Sequence, residues 1–188
     1  MSTPRLHLLL PLALLLLALP ARADGRLGLA YLQEAQVQRD LGSASLRPGL
    51  QLTYDAPLLG ALGSELLLAL SVGGYRPTLH SLNVLGDALL GYRFTLAMGL
   101  FVDARVGASY LHPFEGDAVA FAREGVAAAR AQRLAPCAAL GVGWDFDAVS
   151  PLPFSLYARV TGYGRRMGGV GEQLPQLTTQ AGFALHFG

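Results

Sequence analysis

Hydrophobic and polar residues alternate with a period of two along most of this chain. Between Leu100 and Tyr110 every even-numbered residue is apolar, whereas the odd-numbered positions include Asp103 and Arg105. The same split returns in residues 154–161 and 176–187. Successive side chains of a strand point to opposite faces. The pattern therefore predicts β-strands with one apolar and one polar face.

Eight segments of this kind can be recognised, most of them 8–12 residues long: 26–32, 48–55, 64–75, 83–94, 100–112, 136–146, 154–161 and 176–187. Short links (56–63, 95–99, 147–153) alternate with generally longer ones (33–47, 76–82, 113–135, 164–175). A tilted strand needs about 9–11 residues to cross the hydrocarbon layer of a bilayer. We therefore predict an all-β fold, an eight-stranded antiparallel up-and-down transmembrane β-barrel with its short turns at the periplasmic end.

Charge decides which face of the predicted barrel points outward. Charged residues make up 14% of the chain, well below the roughly 25% of an average soluble domain. A lipocalin-like soluble barrel needs charged groups on its outside, and eight strands offer too few of them here. The polar face is therefore predicted to line the lumen, which in an eight-stranded barrel is just wide enough to be filled by side chains. Together with Asp55, the predicted luminal network comprises Glu65, Asp87, Arg93, Asp103, Arg105, Asp145 and Arg159.

Two further residue types agree with this orientation. Glycines that share the luminal parity would make room for arginine side chains: Gly28, Gly107, Gly141, Gly143 and Gly182. Aromatic residues cluster near the strand ends, as membrane interfaces favour. Those beside the short turns are Tyr54, Tyr92, Phe94, Trp144, Phe146, Phe154 and Phe187, and those beside the longer links are Tyr31, Tyr75, Tyr110 and Tyr163. Of the second group, Tyr75 and Tyr163 carry inward parity unless a bulge shifts the register.

Residues 1–23 have the pattern of a cleaved secretory signal peptide. Arg5 precedes an apolar stretch of about 12 residues, too short for a membrane helix, and Ala21-Arg22-Ala23 has the small-x-small form of a cleavage site. We therefore predict export, cleavage after Ala23 and a single barrel domain over residues 24–188. Without Arg5 and Arg22 the mature chain carries 12 basic and 13 acidic residues, which gives no reason to expect a nucleic-acid surface.

The terminal strand Gln-Leu-Thr-Thr-Gln-Ala-Gly-Phe-Ala-Leu-His-Phe187-Gly188 resembles the last strand of bacterial outer-membrane β-barrels, with its aromatic residue penultimate. The mature chain as a whole resembles the small eight-stranded class typified by outer-membrane proteins A and X. The resemblance implies residence in the outer membrane of a Gram-negative bacterium, contact with its lipids and lipopolysaccharide, and Phe187 as an assembly signal for the barrel-assembly machinery.

Candidate chemistry is sparse. A His-x-Ser pair together with an acid on the outer wall would make this chain resemble a lipid A deacylase of the same fold. Here His80 and Ser81 are adjacent, and Ser109 and His112 are three positions apart, so neither pair has that spacing. Cys137 has luminal parity and is interpreted as a small filler. The histidines and the cysteine form no predicted metal site. We therefore expect no cofactor, no metal and no catalysis, with lipid A deacylation as the alternative function.

The link 113–135 is the one connection with its own pattern. Its alanine-rich part carries Arg123, Glu124, Arg130 and Arg133 at helical spacing. It is interpreted as a solvated loop with one or two helical turns, or as a surface whose arginines bind lipopolysaccharide phosphates or a protein partner.

Overall fold

The computed structural model describes residues 25–36, 45–78, 81–115, 134–164 and 176–187. Its eight strands form a closed barrel in which each strand pairs antiparallel with the next and the last pairs with the first. They are β1 (Gly25–Gln36), β2 (Ser45–Ala61), β3 (Ser64–Thr78), β4 (Ser81–Thr95), β5 (Leu100–Glu115), β6 (Leu134–Asp145), β7 (Phe154–Tyr163) and β8 (Gln176–Phe187). The predicted fold class is confirmed.

The strand register sets the tilt of the barrel. Following paired residues once around the wall from Arg26 ends on Gln36 of the same strand, ten positions further on; the path runs through Asp55, Ala69, Leu89, Gly107, Cys137, Tyr163 and Gln176. Such a stagger requires strands tilted by roughly 35–45° from the barrel axis. Because of this tilt, residues far apart in the sequence reach the same height inside the lumen.

Most strands are longer than predicted, and the first short link is largely strand. Strand β2 continues to Ala61, with a register shift between Pro57 and Leu59. The turn is only Leu62-Gly63, and both residues have positive φ, 50° and 79°. This is the backbone of a type I′ turn, whose twist matches that of a hairpin. The end of β2 is mostly apolar and does not alternate, so the sequence pattern did not predict a strand there. Backbone pairing in a hairpin does not require that one face be polar.

The two faces of the wall have the predicted orientation. Aliphatic side chains are exposed on the outside, among them Leu50, Leu90, Val106, Leu140 and Val160. The residues of the predicted luminal network point inward, and all of them except the half-buried Glu65 are buried. Within the described residues no helix is long and apolar enough to cross a bilayer.

The aromatic rings are partly as predicted. Near the short turns Tyr92, Phe94, Trp144 and Phe187 are exposed, and Phe146 stacks on Phe154 at 4.6 Å between ring centroids.

Three tyrosines depart from the predicted rings. Tyr54 has outward parity but is buried because it lies over Gly25, where a Cβ would come within 2.7 Å of its hydroxyl. Of the four tyrosines predicted beside the longer links, Tyr75 and Tyr163 are buried inside the barrel, whereas Tyr31 and Tyr110 are exposed. The register shift in β3 comes after Tyr75, too late to turn that residue outward.

Candidate functional site

The centre of the lumen is an ion-pair cluster formed by Asp55, Asp103 and three arginines. Arg105 donates two hydrogen bonds to Asp55, from Nη1 to Oδ1 at 2.6 Å and from Nη2 to Oδ2 at 2.7 Å. Its Nη2 also donates to Asp103 Oδ2 at 2.9 Å. A bidentate guanidinium–carboxylate pair is among the strongest hydrogen-bonded contacts in proteins. Arg105 therefore links the two carboxylates, and Arg93 Nη2 also lies within 3.2 Å of Asp55 Oδ2 and 3.5 Å of Asp103 Oδ2.

Asp103 accepts hydrogen bonds from all three arginines of the cluster. Besides Arg105, its Oδ2 lies 3.2 Å from Arg159 Nη2 and 3.5 Å from Arg93 Nη2. The Asp103 side chain has no exposed surface at all, so a charge there is stable only when it is paired. Asp103 is the hub of the cluster.

Aromatic rings cover the remaining faces of two guanidinium groups. The Cζ atom of Arg93 lies 4.2 Å from the centroid of Phe101, and that of Arg159 lies 4.8 Å from the centroid of Tyr157. A desolvated cation gains about 2 kcal/mol or more from such a ring. Both rings come from the luminal parity of β5 and β7, so the lumen supplies the arginines with acids on one side and π-faces on the other.

Glycine makes the room that the cluster occupies. A Cβ at Gly141 would lie 2.5 Å from Asp103 Oδ1, and one at Gly91 would lie 3.0 Å from Arg105 Cγ. Gly141 was among the glycines predicted to make room for the arginines by parity. Gly91 has the same inward parity but was not in that set.

Asp87, a member of the predicted luminal network, is hydrogen-bonded to uncharged side chains. Its Oδ2 accepts hydrogen bonds from Gln51 Nε2 at 2.9 Å and from Ser71 Oγ at 2.8 Å. The acids that pair with Arg105 are instead Asp55 and Asp103. The strand tilt is the reason, since it raises Asp87 above the arginines and brings Asp55 level with them.

Apolar side chains close the lumen toward the end with the longer links. Leu32, Leu85, Leu111, Tyr75 and Tyr163 are buried in one cluster. Cys137 belongs to the same cluster and is buried, as expected of a small filler. The described part of the lumen thus contains buried charged groups nearer the short turns and buried apolar groups toward the longer links.

The end of the barrel beside the short turns carries two further polar contacts. Arg26 Nη1 binds both Glu65 oxygens, at 2.9 and 2.8 Å. Nearby, His186 Nε2 lies 3.2 Å from Ser155 Oγ, and His186 Nδ1 lies 3.7 Å from Asp145 Oδ1.

The grouping of Ser155, His186 and Asp145 was missed by the sequence analysis, which looked for His and Ser on one strand. The three residues come from β6, β7 and β8, and only their shared parity and the pairing of Asp145 with Ser155 could have indicated it.

The other candidate catalytic residues do not form a group within the described residues, or they lie outside them. Ser109 is buried inside the lumen, whereas His80 and the arginines of the link 113–135 are among the residues that are not described. No group of three His, Cys, Asp or Glu side chains in the described ranges is arranged to hold a metal ion. Phe187 is exposed on the outer face and pairs with Gly25 of β1.

No protein-family model matches the chain, and no curated protein matches it. Its fold nevertheless matches solved outer-membrane proteins at low sequence identity. The attachment invasion locus protein Ail of Yersinia pestis superposes with a TM-score of 0.54 at 10% identity, covering 88% of this chain and 99% of that chain. Neisserial surface protein A gives 0.54 at 12%, covering 87% and 96%.

The outer membrane protein OprG from Pseudomonas aeruginosa gives a TM-score of 0.52 at 11% identity, covering 88% of this chain and 96% of that chain. At these identities the likeness concerns the fold alone. The fold is that of the small eight-stranded outer-membrane β-barrels, as the terminal strand and the alternation predicted.

Proposed function

We propose that this chain is an exported outer-membrane barrel with a structural or surface-interaction role and without catalysis. The observation that carries the proposal is the filled lumen. Its arginines are bound by its own acids, and an apolar cluster covers them. A barrel of eight strands with such an interior has no aqueous path for a solute. Its outer wall and its loops are then the surfaces left for interactions.

The partners we propose are the membrane lipids and lipopolysaccharide. The outer wall is aliphatic, with aromatic residues near the short turns, which suits hydrocarbon and the interface. In the link 113–135, Arg123, Arg130 and Arg133 are suited to anionic headgroups. Among the proteins with this fold, Ail has been solved in complex with the heparin analogue sucrose octasulfate, so this architecture can present a polyanion site.

Reconstitution in a planar bilayer tests whether the lumen is closed to solutes. We expect the folded barrel to produce no stepwise conductance, because the cluster and the apolar cap block the lumen. A porin reconstituted in the same bilayer serves as the positive control. Discrete channels that appear with the folded barrel, and not with boiled protein, would contradict the proposal.

Export and location need a separate experiment. Cell fractionation should recover the protein in the outer membrane with heat-modifiable gel mobility, and its amino-terminal sequencing should start at Asp24. Recovery of a soluble form from the periplasm would contradict membrane residence, and an intact leader would contradict cleavage after Ala23.

The alternative function is enzymatic, an acyl-ester hydrolase acting on lipid A. It is favoured by the contact of Ser155 with His186 and by the proximity of His186 to Asp145, which are the residue types of a nucleophile, a base and an orienting acid. Against it, Ser155 is only 1% exposed, and 3.7 Å between His186 Nδ1 and Asp145 Oδ1 is too long for a hydrogen bond.

Two measurements separate these functions. For the non-catalytic role, lipid A from cells with and without the protein should give identical mass spectra, and a fluorophosphonate probe should leave the barrel unlabelled. Loss of an acyl chain from lipid A, together with labelling that Ser155→Ala abolishes and Ser64→Ala does not, would establish the enzyme instead.

A further inference from the structure

A small polar cavity lies inside the barrel, above the arginine cluster. Its volume is about 10 Å³. It is lined by residues from six of the eight strands, and the polar ones are Gln51, Thr53, Ser71, Asp87, Arg105, Arg159, Thr161 and Gln180. A cavity needs a volume of about 10–15 Å³ to hold one water molecule.

Four buried atoms that lack a hydrogen-bond partner in the described part of the chain belong to residues lining this cavity. Three are acceptors, Gln51 Oε1, Asp87 Oδ1 and Gln180 Oε1, and one is a donor, Arg105 Nε. Their residues are 1–6% exposed. A buried polar atom left unpaired costs about 1–3 kcal/mol, so their association with one small space calls for a common partner.

The orientation of Gln51 is fixed by its neighbours. Its Nε2 donates to the carboxylate of Asp87 and lies 2.8 Å from Ser71 Oγ. Exchanging its oxygen and nitrogen would set the oxygen against that carboxylate, so Oε1 remains the unpartnered atom. The common partner must therefore be able to donate.

We infer that this cavity is a binding site for one water molecule, which donates to two of the three oxygens and accepts from Arg105 Nε. A buried water usually makes about three hydrogen bonds, and this site offers that number. The occupant would connect the cluster around Asp103 with the layer around Asp87, so that the polar network becomes continuous. This inference does not depend on the proposed function.

A monovalent cation is the competing occupant, and the charges disfavour it. Arg105 and Arg159 line the same space, and repulsion between like charges is strong where little water screens it. The described cluster and Asp87 already balance, with three arginines (Arg93, Arg105, Arg159) against three aspartates (Asp55, Asp87, Asp103). A neutral donor preserves this balance, whereas a cation does not.

A crystal structure at a resolution that shows ordered solvent tests the site directly, with crystals soaked in rubidium chloride. We expect one density peak about 2.7–3.2 Å from Asp87 Oδ1 and Arg105 Nε, with no anomalous signal. An anomalous peak would show that the site binds a cation. Absence of any peak would show that the cavity is dry. Either result overturns the inference.

Magnetic resonance of the barrel in lipid nanodiscs gives an independent test. A cross-relaxation peak between water and the side-chain amide protons of Gln51 is expected in the wild type. Ala69 lines the cavity and is buried, so Ala69→Val should displace the water and abolish the peak.

Ala30→Val is the matched control. Ala30 is equally buried but does not line the cavity, so the peak should persist in this variant. A peak that is absent in the wild type, or that survives Ala69→Val in a folded barrel, would contradict the site. If Ala69→Val does not fold, the wild-type spectrum and the crystal decide.

Discussion

At the residue scale, the luminal charged groups contribute unequally to stability because they form different numbers of ion pairs. Asp103 is in contact with three guanidinium groups, whereas Arg159 forms its described ion pair with Asp103 alone. Removing a hub leaves several buried charges uncompensated, which costs more than removing a peripheral member. The order of mutational effects should therefore follow the contact map and not the type of charge.

Asp103→Asn should be the most harmful single change in the cluster. It leaves Arg159 without its described ion-pair partner and Arg93 and Arg105 with Asp55 alone, and we expect the free energy of unfolding to fall by about 3–5 kcal/mol. Arg159→Leu leaves Arg93 and Arg105 opposite two acids and should cost less, roughly 1–3 kcal/mol. Urea titration in lipid vesicles measures both values.

The outward neighbour Val160 supplies the control for this pair of variants. Val160→Leu exchanges one aliphatic side chain for another at the lipid surface and should leave the urea midpoint nearly unchanged. A midpoint that rises in Arg159→Leu would mean that Arg159 faces lipid, where an arginine costs roughly 2–4 kcal/mol. An equal loss in Asp103→Asn and Arg159→Leu would contradict the hub.

At the scale of the strand, close packing across the wall depends on positions without a side chain. A Cβ at Gly143 of β6 would collide with the Phe101 ring and with the Leu156 carbonyl oxygen, whereas a Cβ at Gly86 of β4 would find its nearest atom at 3.9 Å. The first is a luminal joint between β5, β6 and β7, and the second faces outward. The same substitution should therefore have different consequences in these two strands.

Gly143→Ala is expected to destabilise the barrel by about 1–3 kcal/mol, since backbone must move to admit the methyl group. Gly86→Ala adds the same methyl without a clash and should be neutral or slightly stabilising, because it restricts the unfolded chain. Urea midpoints of the two variants, compared with the wild type, check this. Equal effects would mean that the Phe101 contact does not limit the space at Gly143.

The β2–β3 turn contains a residue in an unfavourable backbone conformation. Leu62 has φ 50°, a conformation that is unfavourable for a leucine, and it is followed by Gly63. Asn-Gly is the preferred pair for a type I′ turn. We expect Leu62→Asn to stabilise the barrel by roughly 0.5–1 kcal/mol. Leu58→Asn, which alters another exposed leucine of the same hairpin outside the turn, should not. A stability gain common to both variants would trace the effect to lost apolar surface.

At the scale of the whole molecule, alternation predicted eight strands and their order but not their full length, and the scarcity of charge predicted which face points into the lumen. It could not predict which inward residues meet. The ten-residue stagger decides that, and it sets Asp55 level with Arg105 while it lifts Asp87 away. Asp145, Ser155 and His186 come together for the same reason. Tyr54 shows a different limit, because its burial depends on the missing side chain of Gly25 on the neighbouring strand.

Assembly is the last property of the whole chain, and Phe187 is the residue that tests it. β8 closes the barrel on β1, where Phe187 pairs with Gly25, and its ring is exposed on the outer face. If this ring is the insertion signal, Phe187→Ala should lower the amount of folded barrel in the outer membrane several-fold. Refolding of the purified chain in detergent should change little, because an exposed ring adds little stability. Leu185→Ala, two residues earlier on the same face, is the matched control and should insert normally. Unboiled gels of outer-membrane fractions give the folded amount, and equal insertion of the two variants would show that Phe187 carries no assembly signal.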